Sequence, residues 1–211
     1  MIEMAGGADS AGLPNTAETA NTPTMEAIAK SASLTVEEYL AGEPGSEVRH
    51  EYLGGIVYAM VGASVEHNVI SGNLFAALRS HLRGKPCGTF MADVKVRLHL
   101  ANDDIFYYPD VMVACDPRDT DRFFKRFPKL LIEVMSESTE RIDRREKRWS
   151  YQQIETLEEY VLVAQDRMEV TVFRRANEWR AEIFNKLDQQ VSLVSVEFTM
   201  PLAAVYEGVK V

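Results

Sequence analysis

The sequence predicts an α/β domain of short strands interleaved with helices. Short apolar segments rich in β-branched and aromatic residues, such as KLLIEVM, EYVLVAQ and EVTVFRR, are bounded by polar or turn-forming residues and read as strands. Ile70, Leu74, Leu78 and Leu82 recur every four residues, the spacing of one helical face. Gly54-Gly55 lies between two apolar-rich arms, a hairpin signal because both turn positions tolerate positive φ.

Taken in order, residues 1–32 are rich in Ala, Thr, Gly, Ser, Asn and Pro without periodicity and read as a disordered tail, leaving 33–211 as one domain. Order is expected to begin at LTVEEYL, where Thr35 and Glu38 have capping-box spacing. RHEYLGGIVYAM is the hairpin, and SVEHNVISGNLFAALRSHLRG the longest helix, with Gly84 suited to its C-cap. FMADVKVRLHL alternates strictly and predicts one half-buried strand with a polar face. IFYYPDVMVAC and KLLIEVM follow as buried strands, then a helix in DRREKRWSYQQIE, with Asp143 and Glu146 at capping-box spacing. EYVLVAQ and EVTVFRR form a pair turning near Asp166-Arg167, and the remainder is strand-rich with a short closing helix.

Composition narrows the class. A length of 211 residues suits one domain with a sizeable core. No apolar run approaches the roughly 18 residues that span a bilayer, and the N-terminus has neither the basic nor the apolar region of a secretory signal. Cys87 and Cys115 lack metal-ligand spacing and suggest no disulfide framework, so a cytoplasmic protein is the expectation. The net charge of −9 argues against indiscriminate nucleic-acid binding. Between Arg118 and Arg148, however, ten Lys or Arg face seven acids. This stretch is either a solvated face or a basic rim around an acidic centre.

The acids Asp110 and Glu133 sit within apolar runs, where an ionised carboxylate is costly unless a cation, a metal or hydrogen bonds compensate it. Alternation puts Glu133 on the face of Leu131 and Met135, and Asp110 on that of Met112. If the strands are neighbours, both acids can enter one cleft and share a hard divalent cation; otherwise each pairs with an arginine of the basic stretch. Lys147 lies on the stripe Lys147, Tyr151, Ile154 and so faces inward, toward an anion or snorkelling beside an aromatic ring. His67 falls on the apolar stripe of its helix, a position more often occupied by a satisfied core histidine than by a ligand. Glu51 is either a third acid of the cleft or a solvent-facing strand residue.

YYPDVMV, PKLLIEVMSESTERIDRREKRWSYQQIETLEEYVLV, EYLGGIVY and EHN resemble the Uma-two family of restriction-endonuclease-like proteins, within the PD-(D/E)xK nuclease superfamily. The resemblance runs from about residue 34 to 207. It implies a mixed central sheet with helices on its faces and edge hairpins, and Mg²⁺-dependent (Mn²⁺ substituting) hydrolysis of DNA. Pro109-Asp110 matches the PD and Glu133 the second acid, with the Val134 carbonyl as a further metal ligand. Glu51 matches the family's early glutamate and His67 its helix histidine. The superfamily lysine should occupy position 135, which is Met135 here, and Lys147 matches the lysine that family members supply from the following helix. The resemblance leaves room for a homodimer. The alternatives are a catalytically inactive nucleic-acid-binding module of the same fold, or an interaction protein whose acids are merely ion-paired.

Overall fold

A computed structural model describes residues 33–136 and 140–211, so the expected tail, 1–32, lies outside the described residues. Helix α1 (Val36–Gly42) opens with the expected capping box: Thr35 Oγ1 accepts from the Glu38 N–H at 3.2 Å, and the Glu38 carboxylate accepts from the Thr35 N–H at 2.9 Å. Strands β1 (His50–Leu53) and β2 (Ile56–Ala59) form the hairpin, with Gly54 and Gly55 at φ of +55° and +99°. Helix α2 (Val65–His81) starts at Ser64, whose hydroxyl accepts from the His67 N–H. Its C-cap is Leu82, two residues before the expected Gly84, which at φ +81° reverses the chain.

Two segments expected to be single strands are each broken in two. FMADVKVRLHL divides into β3 (Gly88–Met91) and β4 (Lys95–Leu100) in different sheets, with Ala92 at φ +49° between them. IFYYPDVMVAC divides into β5 (Asp103–Tyr107) and β6 (Val111–Ala114), again in different sheets. Asp110 is therefore not mid-strand; it lies in the link where the chain passes from one sheet to the other. The two crossings are stitched together by the Ala92 N–H donating to the Asp110 carbonyl at 3.3 Å. Alternation alone cannot see these breaks, since each half keeps the period of a strand.

The single expected sheet is accordingly two. One has the order β2-β1-β5-β4-β7, where β7 is Phe124–Lys125. The other runs β11-β10-β9-β8-β6-β3, with β8 (Pro128–Met135), β9 (Glu159–Ala164), β10 (Val170–Arg174) and β11 (Ala181–Phe184). Both are mixed, β4–β7 and β8–β9 being parallel pairs. A hairpin of β12 (Gln190–Leu193) and β13 (Phe198–Pro201) precedes the closing helix α5 (Leu202–Val205).

Alternation along β8 divides the core as expected. Leu130, Ile132 and Val134 pack beneath Ile70, Leu74 and Leu78 of α2. Leu131 and Met135 face the other way, against Met112, Leu162, Tyr151 and the Val96, Leu98 and Tyr107 side chains of the smaller sheet. The sheets thus meet over a second core, and the helical segment after β8 enters it. That segment begins at Glu140 rather than Asp143: α3 (Glu140–Ile142) runs into a π-helical turn, Asp143–Lys147, and then α4 (Arg148–Gln152). Asp143 is buried inside this turn rather than capping a helix.

Cys87 and Cys115 form a disulfide, contrary to the expectation from spacing. Pairing of Gly88 with Ala114 across β3 and β6 sets the flanking cysteines opposite each other, with Cα atoms 4.1 Å apart. Long-range register, invisible in the spacing, makes the bond.

Candidate functional site

The seam between the two sheets collects the expected residues. β6 and β8 are neighbours, with Val111 opposite Ile132. Asp110, just before β6, accepts the Val134 N–H on Oδ2 at 2.7 Å. It does not line up with Met112 as alternation predicts; the break lets it turn toward α2, where His67 Nε2 lies 3.2 Å from the same oxygen. His67 is thereby satisfied by the acid it holds. Burial alone would lower its pKa, but Asp110 and the backbone of Val134 outweigh this and raise it.

Glu133 projects from β8 into the second core. Two donors converge on its Oε1, the Tyr151 hydroxyl at 2.9 Å and Lys147 Nζ at 3.4 Å. Lys147 also lies 2.9 Å from Glu51 Oε1 and 3.5 Å from Asp143 Oδ1. Side-chain exposures are 8% for Lys147, 4% for Glu133, 3% for Asp143, 14% for Glu51 and 19% for Asp110. Glu51, which strand statistics would send to solvent, is thus a member of the cluster. Among the described residues neither Asp110 nor Glu133 pairs with an arginine.

The electrostatics set burial against the charges of this cluster. Burial pushes the Glu133 carboxyl well above its usual range; Lys147 opposes this, while Asp143, Asp110 and Glu51 reinforce it. Burial likewise works against the Lys147 ammonium, but Glu133, Glu51 and Asp143 outweigh it and hold the proton firmly. Glu159 is the instructive contrast. It is buried too, yet Arg174 Nε at 2.7 Å and the N–H groups of Val194 and Ser195 satisfy it, as a structural ion pair requires. Glu133 instead has the Tyr151 hydroxyl and a lysine that it shares with Glu51 and Asp143.

Met135 stands where the superfamily lysine is expected and is buried in the second core. Lys147 reaches Glu133 from the helix instead. Sequence reasoning missed Asp143, although extending the inward stripe of Lys147 and Tyr151 back by four residues leads to it. It also missed a neighbouring group at the end of the smaller sheet. There buried Lys95 donates to the Tyr108 hydroxyl at 3.2 Å, which donates in turn to Glu43 at 2.9 Å. Burial lowers the Lys95 pKa. The Tyr108 N–H reaches Glu51 Oε1 at 3.4 Å, joining this group to the acid cluster. Lys95 fell on the polar side of a segment expected to be half exposed, so no signal marked it.

Comparison with known proteins agrees with this architecture. Residues 36–203 match the family model Uma2, described as "Putative restriction endonuclease". Two uncharacterized Synechocystis proteins are similar: slr1290 is 34% identical over 177 residues, covering 83% of this chain and 92% of its own. The other, sll1609, is 33% identical over 144 residues, covering 67% and 80% respectively. A crystal structure of a "putative nuclease belonging to DUF820" from Anabaena variabilis superposes with a TM-score of 0.68 at 17% identity. The match covers 82% of this chain and 98% of that one, and shows a shared fold. With the family match spanning most of the domain and a relative one-third identical over nearly its whole length, this chain belongs to the Uma2 family.

Proposed function

We propose that the protein is a metal-dependent endonuclease that hydrolyses DNA phosphodiester bonds. The observation that carries this reading is the gathering of buried carboxylates: among the described residues Glu51, Glu133 and Asp143 surround one lysine, with Asp110, beside His67 of α2, in the link before β6. Such a cluster favours a cation, and its oxygen donors suit Mg²⁺ or Mn²⁺. Among the described residues no three His, Cys, Asp or Glu form a metal cage by themselves. Mg²⁺ commonly takes one or two carboxylates and completes its shell with waters and substrate phosphate. Asp110, Glu133 and the Val134 carbonyl would hold it.

The bound cation would lower the pKa of a coordinated water and polarise the scissile phosphate. The chain's own groups do the rest. The Val134 N–H and His67 fix Asp110 Oδ2, while Tyr151 and Lys147 both hold Glu133 through Oε1. Lys147, kept protonated by its three acids, presents charge to the phosphoryl oxygens as negative charge develops on them. Glu51 anchors Lys147 and receives the Tyr108 N–H, tying the lysine to the Asp110 link.

The test is single-turnover cleavage of plasmid DNA with Mg²⁺ or Mn²⁺. Wild type is expected to cleave, Asp110→Asn to be inactive, and Lys147→Ala to lose about two to three orders of magnitude, the usual scale for one electrostatic stabiliser. Wild-type binding without cleavage by any metal would identify a non-catalytic relative and overturn this reading.

A further inference from the structure

The segment from Arg118 to Arg126, which runs through β7, is cationic and aromatic on its outer side, with four Lys or Arg against two acids, although the protein as a whole is acidic. The cause lies in how its acids are used. The Asp119 carboxylate accepts the N–H groups of Arg126 and Phe127 at 2.7 and 3.0 Å, and Asp121 accepts the Phe123 N–H at 2.8 Å. Lys125 is likewise spent inside, on the carbonyls of Asp119 and Asp121. These bonds stiffen the loop and turn its negative groups toward its own backbone. Arg122 and Arg126 are left exposed, touching the rings of Phe123 and Phe124, and among the described residues neither forms an ion pair. Phe123 is itself 52% exposed. Arg122, Phe123 and Arg126 line a depression of about 370 Å³, whose walls also carry Arg118, Asp119 and Asp121.

The loop is also fastened to the site. The Phe123 carbonyl accepts the Lys95 N–H at 3.3 Å. Lys95 then leads through Tyr108 to Glu51 and Lys147. Guanidinium groups beside an exposed ring suit a strand whose bases are unstacked, because arginines take phosphates and a ring takes any base face. A duplex offers phosphates but keeps its base faces covered. We propose that Arg122, Phe123 and Arg126 form a contact surface for a single-stranded segment of nucleic acid leading to the acid cluster, a proposal that rests on the nuclease reading.

The test is binding of the full-length protein to a fluorescein-labelled oligothymidylate in EDTA, across a range of NaCl concentrations. Phe123→Ala should weaken binding by about 5- to 150-fold, the scale of one lost base stack, without changing the salt dependence. Arg122→Ala combined with Arg126→Ala should flatten the slope of log K against log salt by about 1.4, two phosphates on a single strand. Arg180→Ala, an exposed arginine elsewhere, should do neither. Wild-type affinity in the loop variants, loss of slope in Phe123→Ala, or no binding by wild type would overturn the proposal. Equal competition by a duplex would overturn its single-strand specificity. Metal-dependent cleavage that survives alongside unaffected loop variants would sink this surface but not the nuclease reading. Loop-dependent binding without cleavage would do the reverse.

Discussion

Replacing Lys147 with methionine tests whether its ammonium is the chief neutraliser of the acid cluster. Methionine removes the terminal ammonium, which lies over the Tyr107 ring, but keeps an apolar stem of similar shape, while Glu51, Glu133 and Asp143 lose their shared cation. Removing one partner of a buried pair typically costs about 3–5 kcal/mol. For a protein of this size that corresponds to a fall in Tm of about 6–20 °C. The loss should depend on pH with a definite sign. The folded-state pKa of Glu133 already lies above its ordinary 4.5, so folding is penalised as pH rises from that value toward the folded one. Without Lys147 the pKa climbs further, and the deficit is greatest at neutral to alkaline pH and shrinks as the acids take up protons. The assay is urea unfolding of metal-free protein in EDTA at pH 8 and pH 5, with Glu133→Gln and the double variant completing a cycle. A deficit below about 1 kcal/mol at pH 8, well under the usual loss for a buried ion-pair partner, would refute the argument. So would a deficit equal at both pH values.

Further outcomes follow from the same geometry. Reducing the Cys87–Cys115 bond, which closes a loop of 28 residues, should cost about 3.5 kcal/mol by loop entropy, read as a clear fall in Tm with a reductant; an unchanged melt after both thiols are titrated would count against it. Asp110→Asn should abolish Mn²⁺ binding by calorimetry, yet leave apo stability nearly intact, because an amide oxygen can still accept the Val134 N–H. Glu133→Gln should stabilise the metal-free protein at pH 8 and lose that advantage near pH 4, since the raised pKa makes the ionised form the penalised one. Met135→Lys added to Lys147→Ala should restore only part of any cleavage, because Met135 fills apolar space beside Leu131 and Tyr151.

Much of the site was readable because it follows local periodicity. Glu133 shares a face with Leu131 and Met135, and Lys147 with Tyr151 and Ile154, as alternation and helical spacing require. The hairpin at Gly54-Gly55 and the capping box of α1 depend on adjacent residues and were equally legible. What failed depends on long-range register or on where a chain leaves a sheet. The breaks at Ala92 and Asp110 leave the hydrophobic pattern intact while sending its halves to different sheets. The disulfide arises from β3–β6 pairing, and Asp143 read as a helix cap because the helical segment in fact begins earlier, at Glu140. Lys95 was hidden because a polar residue on an alternating strand reads as solvent-facing, whereas packing of α1 covers that face with Tyr39.

The passage of the chain between sheets at Asp110 has a mechanical consequence. Glu51 rides on the smaller sheet, Glu133 on the larger one, and Asp110 on the strap between them, so the spacing of the acids is set by the angle at which the sheets meet. Pro109, with its fixed φ, makes that strap a stiff pivot. A rocking of one sheet that moved these carboxylates by about 1 Å would be a misplacement of the size that can cost an enzyme 100-fold in rate. For the proposed nuclease, residues far from the cluster that wedge the two sheets apart or let them close would therefore act as adjusting screws on its chemistry.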